Sequence, residues 1–325
     1  MAIDPESYRL DRIDDAFHVQ PSRHAFEWWY FDAIFDNGYS MANSWHIGEM
    51  ESANPEPRRI KFAVYTPDGK KVDTDVDFPI SAVFASTETC DVKMGDNHLH
   101  GEFPRYEIHF RSGDIGAELL LENLTQGFRS PPDGVLHLGR EPIKYFAWTV
   151  PQPRARVTGK LILAGQEIPV NGVGYHDHNW GNVPLREIYD HWYWGRLFLP
   201  NHTFLYSVGQ ASESLGHVAM SILVAFKGEK LVKLSTHIDA EPGEFEVDEL
   251  TGVKYPRKLV LKIDASDIKG EVTHRLRKLA DSFMFPQAMK GHGFLRFLSD
   301  CDVKLDMDGE KIAVETQVIH ELMIP

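Results

Sequence analysis

Ile60-Lys61-Phe62-Ala63-Val64-Tyr65-Thr66-Pro67-Asp68-Gly69 sets the pattern of the chain: a short apolar, partly alternating run that stops at a turn signal. Side chains on a strand point to alternate faces, so such a run reads as a half-buried strand and the Asp-Gly that follows as a hairpin turn. The pattern recurs. Lys160–Leu163 precedes Ala164-Gly165, Val218–Phe226 precedes Lys227-Gly228, and Lys311–Ile319 follows Asp308-Gly309. Asn37-Gly38 is a further hairpin signal, and Leu259–Ile263 a further strand run. Turns spaced by roughly ten residues predict an all-β sandwich or barrel rather than βαβ units. Residues 275–283 fit a helix or a strand, because Ile268, Gly270, Val272, His274 and Leu276 also alternate. Pro131-Pro132, Pro151-Gln152-Pro153 and Pro184 read as loop punctuation, and residues 181–190 as the best boundary. The expected organisation is two closely packed domains, residues 1–185 and 186–325.

Composition bounds the function. The chain has 325 residues, 42% of them hydrophobic and 11% aromatic, which excludes a disordered polymer. A net charge of −14 argues against nucleic acid or an anionic membrane surface, since both call for a basic footprint. The longest apolar run, Ile222–Phe226, is far short of the roughly 20 residues that span a bilayer, so no transmembrane segment is expected. The opening MAIDPESYRLDRIDD is acidic and lacks the apolar core of a secretory signal, and Cys90 and Cys301 form no CxxC pair. The expectation is a cytoplasmic protein with reduced thiols.

Three clusters carry polar or aromatic chemistry. In Phe26-Glu27-Trp28-Trp29-Tyr30-Phe31-Asp32, strand alternation puts Glu27, Trp29 and Phe31 on one face and Trp28, Tyr30 and Asp32 on the other. This is either an aromatic core strand or the wall of a hydrophobic cavity holding a desolvated acid. In Gly174-Tyr175-His176-Asp177-His178-Asn179-Trp180-Gly181, His176, His178 and Trp180 share one face and Tyr175, Asp177 and Asn179 the other. Paired histidines at i and i+2 can hold a metal, but the next acid, Glu187, lies beyond Pro184 and fits poorly. A structural network or general acid/base work suits the cluster better. In His191-Trp192-Tyr193-Trp194-Gly195-Arg196, Trp192, Trp194 and Arg196 share a face that could cradle a developing cation, or close a barrel end. Neither a GxGxxG, GxxxxGK[ST], GxSxG nor HExxH motif is present, so nucleotide cofactors and serine hydrolysis are disfavoured.

Glu27–Gly38 (EWWYFDAIFDNG), Gly174–Gly181 (GYHDHNWG) and His191–Arg196 (HWYWGR) occur in this order in the hydroxyneurosporene synthase family, the carotenoid 1,2-hydratase and AttH-like group. The chain resembles that family over about residues 27–209. The resemblance implies two lipocalin-like antiparallel β-barrels packed together, with an elongated hydrophobic pocket and neither metal nor organic cofactor. Its members include hydratases of terpenoid double bonds, and related proteins include cyclases of polyenes. It implies catalytic roles for His178 and Trp180 and for a later Tyr-x-Asp pair. Here that pair is Tyr206 with Val208, so the family's acid is replaced. Asp177 or Asp32 is the alternative.

The expected function is therefore a cofactor-free lyase, hydratase or isomerase/cyclase acting on a C=C-containing hydrophobic small molecule, terpenoid, polyene or polyketide-like. His176, Asp177, His178, Trp180 and Tyr206 are the candidate catalytic residues. Glu27, Trp28, Tyr30, Asp32, Trp45, Asn179, Trp192, Trp194 and Arg196 are the candidate substrate contacts. The competing class is a non-catalytic carrier of a hydrophobic ligand, against which the number of ionisable residues in these clusters weighs.

Overall fold

The structure, a computed structural model, describes residues 5–325 apart from 19–21, 23, 49, 51–57, 131–132, 141–142 and 286–287. Antiparallel strands joined by tight turns and single 3-10 turns make up nearly all of it, as the turn spacing predicts. Among the described residues no helix is long and apolar enough to cross a membrane. The chain divides into two compact units, one ending at Pro184 and the other running Leu185–Pro325.

The first unit is a sheet of 13 strands among the described residues. Its centre is a pair far apart in sequence, Phe26–Phe35 against Gln166–Gly181. Ser40–Ile47, Arg58–Tyr65 and Lys71–Asp77 extend the sheet on one side; Lys144–Leu163, Ile115–Asn123, Arg105–Ser112 and Asn97–Glu102 extend it on the other. Phe62 and Phe110 lie on strands well separated in this order, yet their ring centroids are 4.9 Å apart. The sheet therefore curls around a shared core that includes Trp29, Phe31, Trp45, Phe62, Leu99 and Phe110.

The second unit repeats this topology with nine strands among the described residues. Its first strand, Tyr189–Phe198, pairs with its last, Glu310–Ile324. The sheet curls until Ile238–Val247 reaches His202–Ala211 and Ala219–Lys227. Its own core gathers Tyr193, Phe204, Tyr206, Leu261, Phe297 and Val303. The ambiguous residues 275–283 belong to the strand Ile268–Phe283, whose register shifts twice where its alternation lapses.

Turn chemistry is as written in the sequence. Ala164-Gly165 (φ 49° and 75°) and Asp308-Gly309 (φ 52° and 85°) are two-residue turns with both positions left-handed, the geometry that matches strand twist. Pro151-Gln152-Pro153 is not a loop but part of the 20-residue strand Lys144–Leu163, at the point where its pairing with Gln166–Gly181 shifts register. A bulge leaves ladder positions unpaired, so a residue without an N–H fits there. Pro131-Pro132 lies outside the described residues.

The central pair packs closely. A Cβ on Gly172 would lie 2.1 Å from the Ile34 carbonyl oxygen and 2.8 Å from Phe35 Cα, both backbone atoms that cannot step aside. Gly172→Ala is expected to destabilise the protein by about 2 kcal/mol and lower the thermal midpoint by roughly 4–8 °C. Gly243→Ala, whose Cβ would meet nothing within 4 Å, should change it by no more than about 0.5 kcal/mol. Thermal melts of the two variants check this.

Candidate active site

The central pair carries polar groups on both faces. In register, Trp29 opposes His178, Tyr30 opposes Asp177, Phe31 opposes His176 and Trp28 opposes Asn179. The face assignments read from alternation hold: His176, His178 and Trp180 point into the sheet's core with Glu27, Trp29 and Phe31, and Asp177 and Asn179 lie opposite with Trp28, Tyr30 and Asp32.

On the inner face, both histidines are fully buried and engaged. His176 stacks on Phe31 with ring centroids 3.9 Å apart. Its Nδ1 donates to the Tyr30 carbonyl at 3.0 Å and its Nε2 faces Asp15 Oδ2 at 3.1 Å. His178 stacks on Trp29 at 4.5 Å, donates from Nε2 to Glu27 Oε1 at 2.8 Å, and sets Nδ1 3.3 Å from Asp15 Oδ1. Glu27 also accepts the His18 backbone N–H at 3.0 Å, and the His18 ring stacks on Trp180 at 3.7 Å. Burial opposes the charge on His178, but the hydrogen bonds and charges of Asp15 and Glu27 outweigh it and hold the imidazole up to about 9. Asp15 works against the same burial, and the two histidines bring its carboxyl well below the usual range.

The ring partners of His178 are not its sequence neighbours Asp177 and Asn179. Those neighbours point to the opposite face, as strand alternation demands. The acid in their place, Asp15, lies 161 residues before His176, in the acidic opening stretch that carries no signal core.

On the outer face, Asp177 is 7% exposed and accepts three hydrogen bonds. Tyr175 Oη donates to Oδ2 at 2.9 Å, Trp148 Nε1 to Oδ2 at 3.1 Å, and Asn179 Nδ2 to Oδ1 at 2.8 Å. Burial nonetheless dominates and pushes the carboxyl up to about 6. Tyr30 Oη donates to Asp32 Oδ2 at 2.9 Å, and its ring lies 6.4 Å from that of Tyr175. Trp28 adds an aromatic wall with Phe26 at 5.5 Å and Phe146 at 6.0 Å. Sequence reading missed Trp148 and Phe146. They enter because Lys144–Leu163 pairs with Gln166–Gly181, opposing Trp148 to Asn179.

The other candidates sit elsewhere. Trp45 is a core residue, fully buried, with its Nε1 donating to Asn43 Oδ1 at 2.7 Å. Trp192, Trp194 and Arg196 share a face as expected, in the second unit; the Arg196 guanidinium lies 5.8 Å from the Trp194 ring centroid. Tyr206 points into the core of that unit, its hydroxyl 3.2 Å from His274 Nε2. His274 and His320, with ring centroids 4.6 Å apart, were not anticipated. Burial alone lowers His274 to about 3; burial together with the neighbouring His274 depresses His320.

Curled antiparallel sheets with polar groups threaded through an aromatic centre define a lipocalin-like all-β protein. The chain belongs to the AttH-like family, whose family model matches residues 16–282. It is 24% identical to hydroxyneurosporene dehydrogenase of Chlorobaculum tepidum, across 97% of this chain and 86% of that protein. An AttH protein from Nitrosomonas europaea superposes with a TM-score of 0.67 at 15% identity, covering 92% of each chain. Kievitone hydratase from Nectria haematococca superposes with a TM-score of 0.65 at 15% identity, covering 97% of this chain and 93% of that one. Structural likeness at such identity speaks for the fold.

The inner network predicts a pH response. A histidine raised in the folded state contributes stability that is fully present below its ordinary value of about 6.5. For His178 that contribution is lost as pH rises through about 9. Wild-type thermal midpoint should therefore fall between pH 6.5 and 9.5. Removing one partner of a buried ion pair costs about 3–5 kcal/mol, so His178→Gln should melt roughly 6–20 °C lower at pH 6.5. The variant should also lose most of the decline with pH. Calorimetry across the series checks both.

Proposed function

We propose that the outer face of the central strand pair is the acid/base site of an enzyme of hydratase or isomerase type, acting on a hydrophobic small molecule with a C=C bond. The observation that carries this reading is Asp177: a carboxyl held by three donors, walled by aromatic rings, and raised to about 6. Groups that work near neutral pH as proton donors have values close to the working pH, and burial is the usual means of raising a carboxyl there. A carrier of apolar ligands has no need of such a group. The likeness to a hydratase of known structure supports the same class.

In the hydration direction, the Asp177 carboxylic acid gives its proton to one alkene carbon, and the π pair forms the new C–H bond. The opposite carbon becomes cationic, and the rings of Trp28, Tyr30 and Trp148 stabilise it electrostatically. Water's oxygen closes on that carbon, and the proton it sheds returns to the Asp177 carboxylate. Tyr175 and Asn179 hold the carboxyl in place through both halves. Asp32, bonded to Tyr30, is the second acid of the face. Dehydration is the same sequence reversed, and isomerisation returns the proton from a different carbon. For a polyene carrying a carbonyl, the face would supply orientation and a hydrogen bond instead. His176, His178 and Trp180 serve by positioning the strand. Isoprenoid, polyene and polyketide-like alkenes are the substrate classes this chemistry suits.

Asp177→Asn should lower turnover by at least about 10²-fold, the low end of what a positioned proton donor contributes. Because the acid form is required, wild-type kcat for hydration should decline as pH rises through about 6. The assay is mass spectrometry of an alkene panel incubated with protein, scoring gain or loss of one water or a deuterium from solvent. Retained turnover in folded Asp177→Asn would overturn the assignment. Saturable binding of the panel without any turnover would favour the carrier.

A further inference from the structure

The outer surface of the first unit carries a second cluster of ionisable side chains, remote from Asp177. Asp91 lies on the strand Cys90–Met94, His98 and His100 on Asn97–Glu102, Glu107 and His109 on Arg105–Ser112, and Glu118 on Ile115–Asn123. Register brings them together: Asp91 opposes His100, His98 opposes His109, His100 opposes Glu107, and His109 opposes Glu118. The alternate residues Val92, Leu99, Ile108 and Leu119 are buried core, so the six polar side chains share the outward face.

We propose that Asp91, His98 and His100 form a binding site for a divalent transition-metal ion of the zinc class. Each offers one ligand atom, and these atoms all lie within 4.8 Å of one another. His98 Nε2 is 2.8 Å from Asp91 Oδ1, and the His98 and His100 rings are 5.5 Å apart and tilted by 35°. Ligands about 2.0–2.2 Å from a zinc ion sit roughly 3.3–3.6 Å from each other, so small rotations of the exposed His100 and the half-buried Asp91 and His98 complete the site. Two imidazoles and a carboxylate suit zinc, nickel or copper(II), whereas calcium and magnesium call for oxygen ligands. The ligands come from two adjacent strands of a hairpin, a rigid base that favours preorganisation.

The surroundings fit an open coordination position. His98, His100, Glu107, His109 and Glu118 line a groove of about 390 Å³, so a fourth ligand can be water or His109. Glu107 and Glu118 are less suited as direct ligands, because Arg105 pairs with the first at 2.9 Å and Lys160 with the second at 3.1 Å. Three strands separate His98 and His100 from the strand bearing Asp177. At about 4.8 Å per strand the site is roughly 20 Å from the acid/base face. It is therefore independent of the proposed chemistry there.

Two other clusters have ligand-like spacing, Asp15 with Cys90 and His176, and His18 with Glu27 and His178. Both lie in the ion network of the inner face, where the carboxylates already balance imidazolium charge. The surface cluster has no such buried counter-charge, and its imidazoles reach solvent. The test is titration of tag-free protein, stripped with chelator and dialysed, with zinc chloride in a calorimeter. Wild type should bind one equivalent with a Kd below about 10 µM, and excess magnesium should not compete. His98→Ala/His100→Ala should weaken binding by at least 100-fold with unchanged circular dichroism, and Asp91→Asn should weaken it at least tenfold. His137→Ala, on the distant strand Val135–Leu138, should bind as wild type. Failure of wild type to bind a stoichiometric ion would overturn the site. Undiminished binding in the double variant, with loss in Glu27→Gln, would move the ion to the inner network and overturn it equally.

Discussion

Everything at the centre of the first unit depends on how four ionisable groups, Asp15, Glu27, His176 and His178, are taken out of water together. Each charge buried alone would cost several kcal/mol, and the arrangement persists only because each meets an opposite partner at 2.8–3.3 Å. The Nδ1 of His176 faces a carbonyl and its Nε2 a carboxylate, so both ring nitrogens have acceptors. The same contacts strap residues 11–18 to the sheet. Trp29 Nε1 donates to the Asp15 carbonyl at 3.1 Å, and Arg129 pairs with Asp14 at 2.8 Å. Once His176 and His178 are locked inward, Asp177 and Asn179 have only the outer face. A register slip by one residue would exchange the two sets and leave every buried charge without its partner. The inner network thus determines the geometry of the outer face without touching it.

The second unit shows the other way to bury imidazole. It repeats the topology, first strand against last, but among the described residues its centre holds no carboxylate partner for His274 or His320. His320 Nε2 meets Ser299 Oγ at 2.8 Å and His274 Nε2 meets Tyr206 Oη at 3.2 Å. With neutral partners and no counter-charge, desolvation decides, and both rings are held neutral. Gly195 makes this packing possible, since a Cβ there would lie 2.4 Å from the Tyr206 hydroxyl and 2.9 Å from His320 Cβ. One topology therefore encloses an ion network in one unit and a neutral polar cluster in the other.

These differences explain what could be read from the sequence. Strand character and face were legible, because period-two alternation in Glu27–Asp32 and Tyr175–Trp180 is local. Turns were legible for the same reason at Asp308-Gly309. The Asp15–His176 contact was not, because a pairing across 161 residues leaves no local trace. The repeated topology is equally hidden: Phe31 opposes His176 from one first strand and Gly195 opposes His320 from the other, and phenylalanine and glycine share no side-chain chemistry. The strand through Pro151-Gln152-Pro153 was read as a loop because proline normally ends strands, and only the register shift there shows how it is accommodated.

The two faces of one strand also differ in what they can do with a proton. His178, held up to about 9 between two carboxylates, stays protonated across neutral pH, and its proton is shared with Glu27 in a region without solvent access. Releasing that proton would leave two carboxylates short of their counter-charge, so the network resists turnover as firmly as it stabilises the fold. Asp177 faces the opposite balance. Its three donors favour the anion and its burial favours the acid more strongly, which leaves both forms accessible around pH 6. Proton transfer needs a group for which neither state is strongly preferred. On this strand, charge pairing has removed that property from His178, and desolvation has conferred it on the aspartate beside it.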